Sequence, residues 1–217
     1  MMKRFADIAF TPAVAAAQRR NGSREIGRLL EQRPSPAALG SRERDFVATC
    51  ESFFIATVGE HGWPYVQHRG GVAGFVQVVH DDTLALPDYR GNRQYVSVGN
   101  VDHDDRVALI IVDFAERRRL KLLGHARHVD AAEADADLVA LLAPAAGGAV
   151  VERYLLIRIE SFDWNCPQHI PLRYSPADLA SRLEPLASHI DRLEDLLRGA
   201  GIEAPERPDA ANPRRPR

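Results

Sequence analysis

Apolar positions in this chain follow two different periods. Between about residue 53 and residue 164 they fall in short runs broken by turn residues, whereas on either side they recur every three or four positions. The N-terminal pattern predicts helices over Thr11 to Arg20 and Ser23 to Gln32, stopped by Arg33-Pro34-Ser35-Pro36. A third helix opens at Ser41 as its N-cap and runs from Arg42 to about Cys50, with Phe46, Val47 and Cys50 on one face. Strands are then predicted over Phe53 to Val58 and Trp63 to Arg69, on either side of the turn Gly59-Glu60-His61-Gly62, with His61 and Trp63 as turn and packing residues. Gly74 to His80 and Thr83 to Leu86 form a second hairpin around His80-Asp81-Asp82, and Arg106 to Phe114, Leu120 to Val129 and Val151 to Phe162 complete about six strands. The apolar run Val107 to Val112 predicts a strand covered on both faces, inside a barrel or under a subunit interface. Helices over Asn92 to Val101 and Ala131 to Leu142 interrupt the strands, and Asp102, His103, Asp104 and Asp105 end the first of them. Short connections favour an antiparallel barrel over a doubly wound parallel sheet.

After the strands, Ser175-Pro176-Ala177-Asp178 reads as an N-cap serine, a proline at the first helical position and an acidic residue at the third. Leu179, Leu183, Leu186, Ile190, Leu193 and Leu197 then form a heptad stripe, which packs either on its own barrel or on a partner subunit; Pro185 is expected to kink or restart the helix. The organisation is therefore a helical lead-in over 1–40, a barrel domain over 41–173, a C-terminal helix over 174–203 and a disordered Pro- and Arg-rich tail over 204–217.

Charge narrows the function classes. Lys plus Arg is 28 and Asp plus Glu is 30, a net charge of -2, so no global basic field points to nucleic acid or to an anionic membrane. Without a signal-peptide pattern or a long apolar run, and with only Cys50 and Cys166, the expectation is a cytoplasmic protein with reduced thiols.

The densest chemistry lies in Leu86-Pro87-Asp88-Tyr89-Arg90-Gly91-Asn92-Arg93-Gln94. It leaves a strand, turns at Gly91 and uses Asn92 as a helix N-cap, so free backbone N–H groups and the guanidinium forks of Arg90 and Arg93 make a candidate phosphate cradle. Gln67-His68-Arg69-Gly70-Gly71 ends a neighbouring strand, its glycines allowing close approach to the backbone. Arg117-Arg118-Arg119-Leu120-Lys121 opens another, with Arg119 and Lys121 on one face and Arg118 on the other, and Gly124 in mid-strand signals a close backbone approach.

Taken together with Gly74-Phe75-Val76, Thr83-Leu84-Ala85 and the run to His125-Ala126, these segments resemble the pyridoxamine 5'-phosphate oxidase-like flavoproteins over roughly Arg42 to Arg173. Trp164-Asn165-Cys166-Pro167-Gln168-His169-Ile170 resembles a branch of that superfamily known as FMN-binding. The resemblance implies a mainly β, α+β fold: a six-stranded antiparallel split β-barrel with flanking helices, forming a homodimer with FMN at two sites between subunits. It puts Arg69 where the family has a phosphate-contacting arginine, Pro87 and Asp88 against the flavin and ribityl chain, and Asn92, Arg93 and Gln94 on the family's Ser-Arg-Lys phosphate grip, with Tyr89 and Lys121 in the adjoining segments. Gln94 replaces the lysine, and Arg90 is expected to compensate. Arg119 matches a glutamine that reaches the isoalloxazine ring, where an arginine stabilises negative charge on the reduced ring, and Trp164 and Gln168 line the flavin from the partner subunit.

The implied function is that of an FMN-dependent oxidoreductase acting on a small organic substrate, with His68, His169 and Cys166 as candidate acid–base or nucleophilic groups. Vitamin B6 oxidation is not expected, because the C-terminal segment that binds the substrate phosphate in true pyridoxamine phosphate oxidases has no counterpart in this sequence. The alternatives are a non-catalytic flavin carrier or sensor, and an oxidoreductase using haem or a deazaflavin. A zinc site built from His125-x-x-His128 or Cys166-x-x-His169 is disfavoured: residues three apart on a strand face opposite ways, and a two-ligand loop falls short of four ligands.

Overall fold

A computed structural model of the chain describes residues 2–164 and 167–205. The chain divides into two compact units, one ending at Pro171 and the other starting at Leu172.

The first unit opens with α1 (Phe5–Ala9), α2 (Pro12–Arg20), α3 (Arg24–Glu31) and α4 (Ser41–Ala48). Of these α1 is not signalled by periodicity, being only five residues long. The N-cap of α2 is Thr11, whose hydroxyl accepts from the Val14 N–H. Gly40, not Ser41, caps α4, and the Glu43 carboxylate accepts from the Gly40 N–H. The lead-in is tied to the strands by the Lys3 N–H, which donates to the Glu160 carbonyl at 2.8 Å.

Strands β1 (Ser52–Val58), β2 (Pro64–Gly70), β3 (Gln77–Val78), β4 (Thr83–Tyr89), β5 (Arg106–Asp113), β6 (Arg118–Asp130) and β7 (Val151–Trp164) form one antiparallel sheet in the order β2-β1-β5-β6-β7-β4-β3. The count is seven instead of six: the predicted strand over Gly74 to His80 shrinks to two paired residues, because its first part turns at Gly74 with φ 88°. β2 and β4 stand first and sixth in the order, yet an ion pair joins Arg69 to Asp88, and Phe53 of β1 stacks on Phe75, just before β3, at 5.9 Å. Only a sheet rolled on itself allows both contacts, so the architecture is a split barrel whose outer strands approach without pairing.

Alternation fills its interior. Phe53 and Ile55, Leu84 and Leu86, Leu109 and Ile111, Leu120 and Leu122, and Ile157 and Ile159 point inward and are almost wholly buried. Within the single chain the strand covered on both faces is β4; β5 is covered on its inner face. Ala85 on its outer side packs with Tyr154, Leu142, Leu138 and Val139 of the layer made by α6 (Ala136–Ala146). On β5 the outward residues are only half-buried. α6 starts five residues later than the sequence pattern suggests and carries Pro144 inside its last turn.

The two ends of the barrel differ. At one, Phe46 and Val47 of α4 join the core, and Trp164 packs edge-on against Phe46 at 4.8 Å while its Nε1–H donates to Glu43 at 2.6 Å. At the other, α5 (Val96–His103) lies over inward-pointing polar groups, with Asn100 Nδ2 donating to Thr57 Oγ1 at 2.9 Å. In the second unit, α7 (Pro176–Gly199) runs unbroken through Pro185; its stripe from Leu179 to Leu193 is exposed and Leu197 half-buried.

Gly124 tests the packing between β6 and β7. A Cβ there would collide with the Arg158 carbonyl, a backbone atom that cannot turn aside. Gly124→Ala is expected to destabilise the fold by about 1–3 kcal/mol in urea unfolding, the usual range for overpacking; a change within experimental error would mean that the strand spacing yields.

Candidate functional site

Polar groups from three separate stretches meet at the α5 end. On β2 the residues Tyr65, Gln67 and Arg69 turn toward the barrel mouth, while Val66 and His68 turn away. The segment Gly91 to Val96 crosses the opening, and β7 adds Glu152 and Arg153. Together with Asp88, Tyr89 and Ser97 these residues line a cleft of about 180 Å³.

Its floor is a buried ion cluster. Asp88 is 5% exposed; one carboxylate oxygen accepts from Arg69 Nη1, and the other accepts from Arg153 Nε at 3.2 Å and Nη2 at 3.1 Å. Arg153 Nη2 also donates to Glu152 at 3.1 Å, and Glu152 accepts from Arg90 Nε at 2.9 Å and from the Tyr95 hydroxyl at 3.1 Å. The Arg90 and Tyr95 hydrogen bonds hold the Glu152 carboxyl below its ordinary range. Ser97 Oγ donates to Gln67 Oε1 at 2.5 Å, fixing the first turn of α5 to β2. The Arg69 Nε–H is buried without a partner among the described residues.

The lip has an unusual backbone. Arg93 and Tyr95 adopt φ of 61° and 53°, a left-handed conformation uncommon for side chains of this size. These residues delay the helix, so α5 begins at Val96 and Asn92 is not its N-cap. Instead the Asn92 side chain accepts from the Gln94 N–H at 3.1 Å, closing a local turn that exposes Arg93.

Of the residues singled out in the sequence, the structure gathers Arg69, Asp88, Tyr89, Asn92, Arg93 and Gln94 at this cleft. Arg90 lies beside it but is engaged by Glu152, and the additional cation on the lining is Arg153. Pro87 pairs with Tyr154 under α6. His68, Arg119 and Lys121 lie elsewhere, on the outer side of the barrel. Cross-strand pairing puts His68 opposite Phe54, Phe54 opposite Ile110 and Ile110 opposite Lys121, with Arg119 opposite Val112. The His68 ring meets Phe54 at 5.4 Å, and Lys121 pairs with Asp163 at 3.0 Å. Trp164 is held beneath α4, under Arg42 at 4.1 Å, and Gln168 and His169 are exposed on a turn. Cys166 falls outside the described residues, and the Cys50 thiol is buried and pushed up to about 12. Trp63, expected to pack, is 79% exposed. Among the described residues no cluster of His, Cys, Asp and Glu is suited to a metal ion.

Sequence reasoning missed Tyr65, Gln67, Tyr95, Ser97, Glu152 and Arg153. The first two were available from the two-residue period ending at Arg69. The last two arrive on β7, about sixty residues after Asp88 in the chain, with only strand pairing to bring them near.

His128 also faces the cluster from β6, toward Asp88, Arg153, Asp102 and Arg69. Neither ring nitrogen has a partner among the described residues. Burial lowers its pKa, the nearby arginines lower it further, and Asp88 and Asp102 act the other way.

The fold and site together define a split-barrel protein with a cleft at one mouth lined by Arg69, Arg93 and Arg153 against Asp88 and Glu152. The family model for pyridoxamine 5'-phosphate oxidase matches residues 40–164, more than half of the chain, and the chain belongs to that family. No curated protein matches it. Solved structures similar to it include HupZ of Group A Streptococcus, at 15% identity over 62% of this chain and 98% of that one with a TM-score of 0.46. Atu2129 of Agrobacterium tumefaciens, of unknown function, is similar at 21% identity over 75% of each chain with a TM-score of 0.44. A protein related to general stress protein 26 from Clostridium acetobutylicum is similar at 13% identity over 57% of this chain and 85% of that one with a TM-score of 0.39.

His128 yields a pH prediction. The unfolded chain takes up its proton near pH 6.5 while the folded chain resists it, so stability falls as pH drops below that value. In His128→Leu the loss of stability between pH 7.5 and pH 5.5, measured by denaturant unfolding, is expected to be smaller than in the parent; an identical loss would place the acid-sensitive group elsewhere.

Proposed function

We propose that the chain binds FMN with its phosphate in the cleft and works as an FMN-dependent oxidoreductase on a small organic substrate. The observation that carries this reading is the convergence, in a member of the pyridoxamine 5'-phosphate oxidase family, of Arg69, Arg153, Asn92 and Arg93 on one cleft beside the first turn of α5. The chemistry of the donors suits a phosphate. Arg69 has a buried N–H to give, Arg93 is projected by its left-handed backbone, and a helix start adds partial positive charge.

When bound, the flavin supplies hydride or electron transfer. The chain's own residues bind and orient: Asp88 fixes the guanidinium groups of Arg69 and Arg153, and Tyr95 and Ser97 pin the lip to β7 and β2. At about 180 Å³ the cleft is smaller than the roughly 300–1,000 Å³ of a typical ligand site, so it accepts one end of the ligand and another surface covers the rest. That surface is supplied by a second copy of the chain. The outer side of β1, β2 and β5 leaves Phe54 44% and Val66 61% exposed next to Lys121, with Arg119 on the same face of β6 opposite Val112, which supports a homodimer in which these cations approach the partner's cleft.

Titration of the purified chain with FMN and with riboflavin tests the phosphate site. FMN is expected to bind more tightly, and Arg93→Ala to weaken FMN by at least about tenfold, corresponding to loss of a charge-assisted hydrogen bond, with riboflavin unchanged. Equal affinities for the two flavins would remove the phosphate from this cleft. Bound flavin that no reductant reduces would leave a carrier or sensor. Val66→Asp, in the middle of the exposed face, is expected to shift sedimentation from dimer to monomer and to reduce FMN binding with it; a dimer of unchanged strength would place the interface elsewhere.

A further inference from the structure

The cleft contains its own anions. Asp88 is buried between Arg69 and Arg153, and Glu152 answers Arg153 and Arg90. The lining therefore sets three guanidinium groups, Arg69, Arg93 and Arg153, against two carboxylates, leaving a single net positive charge. His128 and Asp102 face the same cluster, and His128 is held neutral by burial, so it adds no cation at neutral pH. Charges buried this deeply are poorly screened, so the Asp88 carboxylate, although it lies behind the arginines that bind it, still repels an incoming phosphate.

We propose that Asp88 is an internal counter-anion that weakens the cleft's hold on a phosphorylated ligand, making that ligand exchangeable instead of permanently held. The proposal rests on the phosphate site put forward above and adds a specificity-determining residue to it. The same carboxylate also orients both guanidinium groups, and this orienting role has the opposite consequence on removal: Arg69 and Arg153 would lose their geometry and the phosphate would bind less well. The two roles are told apart by the sign of one measurement.

The experiment compares the full-length chain with Asp88→Asn and Glu152→Gln by flavin fluorescence titration at fixed ionic strength, using FMN and riboflavin. Asp88→Asn keeps the shape and hydrogen-bonding oxygen while removing the charge, and is expected to tighten FMN by about tenfold or more, with riboflavin altered less than about twofold. Rising salt should narrow the difference. FMN should also stay with Asp88→Asn through gel filtration under conditions where the parent releases it. Glu152→Gln removes the less deeply placed carboxylate and is expected to tighten FMN by about threefold; it decides the matter if Asp88→Asn does not fold. Unchanged or weaker FMN binding in the folded variants overturns the proposal, as does an equal gain for riboflavin. If neither parent nor variants bind FMN, the flavin reading fails separately. Inorganic phosphate, followed by thermal shift, then becomes the probe: stronger stabilisation of the variants than of the parent supports Asp88 as a counter-anion, and no gain overturns it.

Discussion

A carboxylate clamped between two guanidinium groups is the constraint on which the functional end of this molecule depends. Asp88 sits on the inward face of β4, in line with the buried Leu84 and Leu86, where an isolated charge would be costly. Arg69 from β2 and Arg153 from β7 make its burial possible, and in doing so they connect strands that stand far apart in the sheet order. The ion cluster is thus both a closure of the rolled sheet and the floor of the cleft. Removing one partner would leave an uncompensated charge inside the barrel mouth, which is why such clusters are strongly destabilised by single truncations even when the intact network adds little stability.

The pleat then divides the chemistry between two surfaces. Arg69 and His68 are neighbours in sequence, but one faces the cleft and the other the outer side of the barrel with Phe54 and Lys121. The chain therefore presents a small polar mouth and, separately, an apolar outer face edged by cations. Neither surface alone has the size of a cofactor site. The proposed phosphorylated ligand would use the cleft's donors, and the proposed dimer would bring the outer face of another copy to complete its enclosure.

Particular elements show how much was legible. The strand runs other than Gly74 to His80, the turn at Gly59 to Gly62, the close approach at Gly124 and the cap at Ser175 follow from local rules, and each appears in the structure. The Asn92 cap fails because Arg93 and Tyr95 take left-handed conformations that no local preference of arginine or tyrosine announces; the hydrogen bonds from Tyr95 to Glu152 and from Arg93 to Tyr95 accompany that shape. Within one chain double-sided burial is found on β4, and for β5 only the inner cover is seen, since a run of apolar residues states that cover is needed but not which layer, or which copy of the chain, provides it. Here α6 covers β4, while the outward residues of β5 are left partly exposed among the described residues of the first unit.

Sequence alone determined the periods: where helices and strands lie, that the strands alternate inward and outward, and that cationic residues cluster around a turn after β4. Those properties depend on residues within a few positions of one another. The tertiary structure decided which of those residues meet, because a salt bridge between Arg69, Asp88 and Arg153 depends on how the sheet rolls and on the register of β4 against β7. Register and curvature are set by the packing of the whole interior at once, so no short stretch of the chain contains them.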